Sequence, residues 1–299
     1  MLDGHEIRFD DACKSFGEVR AVDGLSFTAY PGEVTGFLGP NGAGKTTTLR
    51  MLLGLVEPTS GSARIGGTAY RDLSNPADVV GAALEASSFH PGRSGRNHLR
   101  VYSAVAGYPD LRADETLEIV GLREAADRPV RGYSLGMRQR LGLATALLGD
   151  PPVLVLDEPS NGLDPAGIAW LRGFLKGLAA EGRTVLVSSH ALSEMQQVAD
   201  RVVIINQGRL VRQGRLDELV SESQVHVESP DPERFATILE SAGATVCRGP
   251  AEVLELRGLP ARVAGRLARE HGIELHALET KQDGLEQIFF SLTGVEQNR

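Results

Sequence analysis

A glycine-rich octapeptide, GPNGAGKT at residues 39–46, constrains this chain more than any other stretch. It fills the pattern G-x-x-x-x-G-K-[ST] with Gly39, Gly44, Lys45 and Thr46. Glycines permit positive φ and turn successive N–H groups inward, while a following helix contributes the partial positive charge of its N-terminus. The octapeptide therefore predicts a phosphate-binding loop, with a plain flexible glycine loop as the alternative.

The residues on either side of the octapeptide favour the phosphate-binding interpretation. Residues 34–38 form a short apolar run typical of a buried strand, and residues 46–53 carry apolar side chains at helical spacing. Strand, loop and helix is the context that a phosphate loop requires. We expect Lys45 to hold the β and γ phosphates of a nucleotide and the Thr46 hydroxyl to complete the shell of a Mg²⁺ ion.

A pair of carboxylates supplies the second half of the predicted site. The apolar run of residues 153–156 ends in Asp157 and Glu158, and ligands of open α/β sheets bind at the carboxyl ends of strands. We expect Asp157 to hold Mg²⁺ through water and Glu158 to be the general base that polarises the attacking water. Without the loop, such a pair is more typical of a helix start or a turn.

Composition narrows the class of protein. The 299 residues are enough for two domains, and 41% of them are hydrophobic. The net charge is −8 and no long basic block is present, so nucleic acid is not the expected partner. The sequence has no membrane-span-length apolar stretch and begins without a signal peptide, which predicts a cytoplasmic chain. Cys13 and Cys247 are far apart and indicate neither a disulfide framework nor a zinc site.

The order of patterns along the chain predicts an α/β protein in two domains. Residues 5–30 alternate in the manner of antiparallel strands, and residues 150–210 hold short apolar runs separated by one helix, which favours a mostly parallel, helix-covered sheet. Strand signals thin out between about 76 and 150, where we predict a helical subdomain at about 86–150. We place the first domain at 1–220. Residues 221–299 read as strand, helix, strand, strand, helix, strand, a small ferredoxin-like α+β accessory domain.

A further motif indicates a resemblance to a known protein family. YSLGMRQR, at residues 133–140, lies a few residues before the strand that bears Asp157, where the ATP-binding cassette (ABC) ATPases keep their signature sequence. Together with the phosphate loop and the carboxylates, it makes residues 5–215 resemble that family. The resemblance implies an ABC-type phosphate-loop fold and an ATPase that uses ATP and Mg²⁺. It assigns these residues to ATP binding: Phe16, Gly39, Pro40, Asn41, Gly42, Ala43, Gly44, Lys45, Thr46 and Thr47.

Signature residues are carried over position by position. Ser134 and Gly136 match the positions that contact the γ-phosphate of ATP held by the opposite subunit, and Leu135 and Met137 replace the usual glycine and glutamine. This variant resembles drug- and antibiotic-exporter members. From the residues alone, Ser134 is also a candidate helix cap, and both roles are compatible.

Three more elements follow the family pattern. SNGLDP, at 160–165, resembles the D-loop and places Asp164 at the cross-dimer position, and His190 in VSSH matches the switch histidine that senses the γ-phosphate. Phe16 occupies the position of the aromatic ring that stacks on adenine, with a core strand residue as the alternative. Glu85 replaces the Q-loop glutamine. It can coordinate Mg²⁺ but cannot donate an amide hydrogen bond.

The resemblance implies a function that one chain cannot complete. In the family, a phosphate loop meets a signature only across a head-to-tail dimer that encloses two ATP molecules. We therefore expect a homodimer, or a heterodimer with a paralogous ATPase, bound to separate multi-spanning subunits at the inner face of the cell membrane and exporting a drug, antibiotic, lipid or similar substrate. The alternative is a soluble ABC ATPase that acts on nucleic acid, ribosomes or cofactor assembly.

Overall fold

The computed structural model describes residues 5–84, 89–220, 223–249 and 253–282, together with Leu285 and Phe289. The chain divides into two compact units, residues 1–214 and 215–299. The strands of the first are β1 Ile7–Phe16, β2 Val19–Ala29, β3 Val34–Leu38, β4 Ser60–Ile65, β5 Val80–Ala83, β6 Val153–Asp157, β7 Thr184–Ser189, β8 Arg201–Asn206 and β9 Arg209–Arg215, which ends at the boundary. Its helices are α1 Lys45–Leu52, α2 Pro76–Val79, α3 Gly95–Ala106, α4 Leu111–Ile119, α5 Leu135–Ala146, α6 Pro165–Ala180 and α7 Leu192–Met195.

A six-stranded sheet forms the centre of the first unit, in the order β5-β6-β7-β3-β8-β9. The strands from β5 to β8 run parallel, and β3, β6, β7 and β8 are buried along nearly their whole length. Strands that are buried on both faces have sequences with continuous apolar runs, and the sequence shows such runs here. The predicted helix-covered parallel sheet is confirmed.

An antiparallel sheet packs beside it, in the order β2-β1-β4. Phe9 and Phe27 face each other across β1 and β2 and stack with ring centroids 4.7 Å apart. Phe27 also stacks on Phe37 of the central sheet at 5.3 Å, so the two sheets share one apolar core. This is the antiparallel β lead-in that the alternating pattern of residues 5–30 predicts.

Strand β5 was not predicted, because strand signals in the sequence are few after residue 76. Its sequence, VGAA, has one β-branched residue and two alanines, so propensity alone does not indicate a strand. A Cβ on Gly81 would overlap the carbonyl oxygen of Ala146 at the end of α5. Close packing of that helix against the backbone therefore selects a short strand of small residues at the sheet edge.

The second unit has the element order that the sequence predicts. It contains α8 Leu216–Val220, β10 Ser223–Glu228, α9 Pro232–Ser241, β11 Thr245–Arg248, β12 Val253–Arg257, α10 Ala261–Glu270 and β13 Ala277–Gln282. The strands pair antiparallel in the order β11-β12-β10-β13. Phe235 and Leu239 of α9 and Ala264 of α10 are buried with Val227 and Leu256 of the sheet. Among the described helices of either unit, none is long and apolar enough to cross a membrane.

Candidate functional site

The phosphate loop lies where strand β3 ends and helix α1 begins. Gly44 is the residue before the helix, with φ of 102°, and no side chain caps it. The first turn of α1 contains no acidic residue. The first N–H groups of a helix have no partner inside the helix, so this uncapped turn fits an anion that accepts from the backbone.

Glycine is required at both ends of the loop because neighbouring backbone lies very close. A Cβ on Gly39 would lie 2.6 Å from the carbonyl oxygen of Ile205, and one on Gly44 would overlap that of Ala21. The Ala43 carbonyl accepts a hydrogen bond of 2.9 Å from the N–H of Gly208, which ties the loop to the turn after β8. These tertiary contacts position the backbone of the loop.

We expect Gly44→Ala to destabilise the protein strongly, since it combines a positive φ with a backbone overlap. The overlap of the added Cβ with backbone atoms should lower the free energy of unfolding by about 1–3 kcal/mol, in addition to the cost of the φ angle itself. Gly107→Ala is the matched control, because Gly107 has φ of 78° and nothing within 4 Å of an added Cβ. Urea unfolding of both variants measures the difference, and equal losses would mean that the loop relaxes away from Ala21.

Lys45 points inward from the loop into a buried position. Its side chain is 6% exposed, and its ammonium donates to the carbonyl oxygens of Gly39 at 2.7 Å and Pro40 at 3.4 Å. Its Nζ also lies 3.2 Å from Oε1 of Glu158. A buried cation held beside the uncapped helix start fits a phosphate group.

Asp157 and Thr46 meet at the end of strand β6. The Thr46 hydroxyl donates to Oδ2 of Asp157 at 2.7 Å. Carboxylate and hydroxyl oxygens suit Mg²⁺, which is bound by few protein groups when phosphates and waters complete its shell. The pair therefore fits the predicted metal site. Oδ1 of Asp157 accepts a short hydrogen bond from the hydroxyl of Ser188 on β7.

Glu158 and His190 form the third part of the cluster. The Glu158 carboxylate lies between two groups, with Oε1 near Lys45 and Oε2 at 2.7 Å from Nδ1 of His190. Glu158 is 18% exposed and His190 is 47% exposed at its side chain, so the histidine marks the open side. The parallel register brings these groups together, because Asp157 pairs with Ser188 and Leu38 with Ser189 across the sheet.

Signature residues lie at the start of helix α5. Ser134 caps the helix by accepting from the N–H of Met137 at 3.2 Å, which confirms its predicted structural role. Leu135 is 53% exposed, and a Cβ on Gly162 would overlap its side chain. A Cβ on Gly136 would lie 3.2 Å from the side chain of Leu163. The signature therefore packs against the segment that the sequence analysis identifies as the D-loop.

Asp164, the last residue but one of that segment, caps helix α6 by accepting from the N–H of Gly167 at 2.8 Å. Gln139 of α5 donates to the carbonyl oxygen of Asn161 at 3.2 Å. Within the described part of the chain, no hydrogen bond joins signature residues 134–137 to Lys45, Asp157 or Glu158. The predicted residues thus form two groups on one chain.

Phe16 lies at the end of β1 and is 51% exposed, so the alternative of a core residue is wrong. Its ring faces Nζ of Lys14 at 5.0 Å. Phe16 pairs with Val19 at the turn into β2, and Ala21, two residues further on, lies against Gly44. Phe16 therefore lies at the turn of the strand pair whose second strand, β2, contacts the phosphate loop.

The other residues that were predicted to bind ATP differ in their solvent exposure. Asn41 and Gly42 are exposed, Ala43 is buried and Thr47 is half-buried on α1. Glu85 lies outside the described residues, so its role at the Q-loop position stays a prediction. Ser188 was not among the predicted site residues, although a serine directly after the run TVLV and two residues before His190 is a visible signal.

Comparison with known proteins agrees with the motifs. The family described as ABC transporter matches residues 22–161, and a domain of unknown function matches residues 223–286. The chain is 37% identical over 300 residues to the bacitracin transport ATP-binding protein BcrA of Bacillus licheniformis, covering 96% of this chain and 97% of that protein. It is 35% identical over 308 residues to the Nod factor export ATP-binding protein I of Paraburkholderia xenovorans, covering 97% of each.

A solved structure extends the likeness to the fold. The ATP-binding subunit of an ABC transporter superposes with a TM-score of 0.65 and 26% sequence identity, covering 72% of this chain and 92% of its own length. The two sequence relatives match nearly the whole chain, including the second unit. The chain therefore belongs to the ATP-binding proteins of the ABC transporter family and is an ATPase of that family.

Proposed function

We propose that this chain binds and hydrolyses ATP to drive export of a drug, antibiotic, lipid or similar substrate through separate membrane-spanning subunits. The observation that carries the proposal is the cluster of Lys45, Glu158 and His190 beside the Thr46–Asp157 pair, at the carboxyl ends of β3, β6 and β7. The names of the two relatives, bacitracin transport and Nod factor export, support transport over the soluble alternative.

Each residue of the cluster has a distinct role in this proposal. Lys45 and the first N–H groups of α1 bind the phosphates of ATP, and Thr46 and Asp157 hold Mg²⁺. The ion supplies positive charge that offsets the charge on the phosphates. Glu158 accepts the proton of the attacking water, and His190 orients its carboxylate through the Nδ1–Oε2 contact of 2.7 Å.

Assembly completes the site. Ser134 and Gly136 are proposed to contact ATP on a second copy or a paralogous ATPase, with Asp164 at the junction. Leu135, exposed beside Ser134, is consistent with a signature that faces a partner. We propose that the dimer binds multi-spanning subunits at the inner face of the cell membrane, that Glu85 lies at the coupling hinge, and that residues 221–299 are an accessory domain.

Capture of the complex tests this function. The tagged chain is co-expressed with a multi-spanning protein encoded beside it, and the membrane fraction is solubilised in mild detergent. We expect the multi-spanning protein in equal amount and an ATPase activity that requires Mg²⁺. Recovery from the cytosol alone, with ribosomes or nucleic acid, would overturn the exporter proposal and leave the ATPase mechanism in place.

Phe16→Ala is expected to weaken ATP binding about 10-fold, since stacking on an aromatic ring contributes roughly 1–3 kcal/mol per base. Phe16→Tyr should stay within about threefold of the wild type because it keeps the ring face. Thermal unfolding should not change for either variant, as half of the Phe16 surface is exposed. Calorimetric titration with ATP makes the measurement. Unchanged affinity in the alanine variant would remove Phe16 from the adenine site.

A further inference from the structure

We propose that Ser188 is a positioning residue whose hydroxyl, anchored on Asp157, holds the backbone of Glu158 so that the Glu158 carboxylate faces His190. The inference rests on the proposed function, in which Glu158 is the general base. Ser188 lies on β7, is fully buried and is the register partner of Asp157 on β6. Ser188 precedes His190 by two residues. Ser188 contacts the backbone N–H of Glu158, and His190 contacts its carboxylate.

The Ser188 hydroxyl uses both its donor and its acceptor capacity inside the cluster. It donates to Oδ1 of Asp157 and accepts from the N–H of Glu158 at 3.0 Å. The carbonyl oxygen of Ser188 lies 3.2 Å from the same N–H, so this backbone group is shared between two acceptors of one residue. Since the other oxygen of Asp157 accepts from Thr46, the anchor itself is fixed on both sides.

The backbone of Glu158 has a conformation that needs stabilising contacts. Its φ is 50°, in the left-handed region that non-glycine residues adopt at a cost and keep only when surrounding contacts enforce it. In an extended conformation, the side chain of the residue after Asp157 would point to the other face of the strand. The turned backbone instead directs the Glu158 carboxylate toward Lys45 and His190.

The neighbouring serine provides a matched control. Ser189 is buried to 1% exposure on the same strand, and its hydroxyl accepts from the N–H of Ala191 at 3.0 Å. Among the residues that the structure describes, the Ser189 hydroxyl makes no hydrogen bond to Asp157 or Glu158, whereas the Ser188 hydroxyl bonds to both. The two serines therefore differ in the contact that the proposal requires and little else.

Steady-state ATPase kinetics and ATP binding in EDTA test the proposal with the full chain. We expect Ser188→Ala to lower kcat about 10- to 100-fold, the effect of losing a hydrogen bond to a charged cluster. ATP affinity without Mg²⁺, measured by calorimetry, should stay within about threefold, because phosphate binding does not use Ser188. Ser188→Thr should restore kcat and Ser189→Ala should stay within about threefold. An alanine variant with wild-type kcat overturns the proposal.

A double-mutant cycle separates positioning of the base from a general effect on the site. In a Glu158→Gln background, Ser188→Ala should change the residual rate by less than about threefold, since the group that Ser188 positions no longer acts as a base. An undiminished effect in that background would show action through Asp157 and overturn the proposal. Glu158→Gln with a wild-type rate would instead reject the proposed base, a separate failure.

A second substitution covers a failure of the alanine variant to fold. Ser188→Cys keeps nearly the same volume but has a weak S–H donor, so we expect a kcat lowered about 10-fold with a wild-type thermal unfolding curve. Wild-type kcat in the cysteine variant would overturn the proposal, since the hydroxyl would then be dispensable.

Discussion

Glu158→Gln is expected to lower ATP turnover about 10²- to 10⁴-fold, the range that a positioned general base supplies. The amide has nearly the shape of the carboxylate and can still contact Lys45 through its oxygen, but it cannot accept the proton of the attacking water. ATP binding should persist, so the variant should accumulate as an ATP-bound dimer. Phosphate release and size-exclusion chromatography with ATP or ADP measure the two effects.

Glu124→Gln serves as the control for this change. Glu124 is exposed in a single helical turn at Arg123–Ala125, and its substitution removes one negative charge outside the cluster. We expect wild-type turnover and no nucleotide-dependent dimer trapping. A Glu158→Gln variant that hydrolyses ATP at the wild-type rate would show that another group activates the water, and the assignment of the base would be wrong.

Lys45→Ala is expected to weaken ATP binding about 100-fold. A hydrogen bond to a charged group contributes about 1.5–3 kcal/mol, and Lys45 is the buried cation beside the uncapped start of α1. The substitution also removes the partner of Oε1 of Glu158, so kcat should fall together with affinity. Titration with ATP and a Mg²⁺-dependent ATPase assay make the measurement.

Lys176→Ala is the matched control, because Lys176 is exposed on helix α6 and its loss changes the net charge equally. Circular dichroism verifies that both variants fold. If Lys45→Ala binds ATP as tightly as Lys176→Ala does, the contacts of Lys45 with Gly39 and Glu158 are structural, and the phosphate site lies elsewhere.

Sequence patterns predicted the elements where local physics is decisive. Glycines at set positions, an apolar run before them and helical spacing after them specify strand β3, the loop and helix α1, because φ freedom and burial act over a few residues. Strand β5 was missed for the converse reason. Its residues have little strand propensity, and packing against α5 decides its conformation.

The site residues show the same division between what the local sequence determines and what the tertiary structure determines. The sequence by itself determined the types and spacing of Lys45, Asp157, Glu158 and His190, because the chemistry of phosphate binding and water activation needs those groups. Only the tertiary structure decided that Lys45 contacts Glu158, that Glu158 has a positive φ and that Ser188 joins two carboxylate-bearing residues. These contacts depend on the register between parallel strands more than 30 residues apart along the chain, and pairing at that range is fixed by packing of the whole sheet.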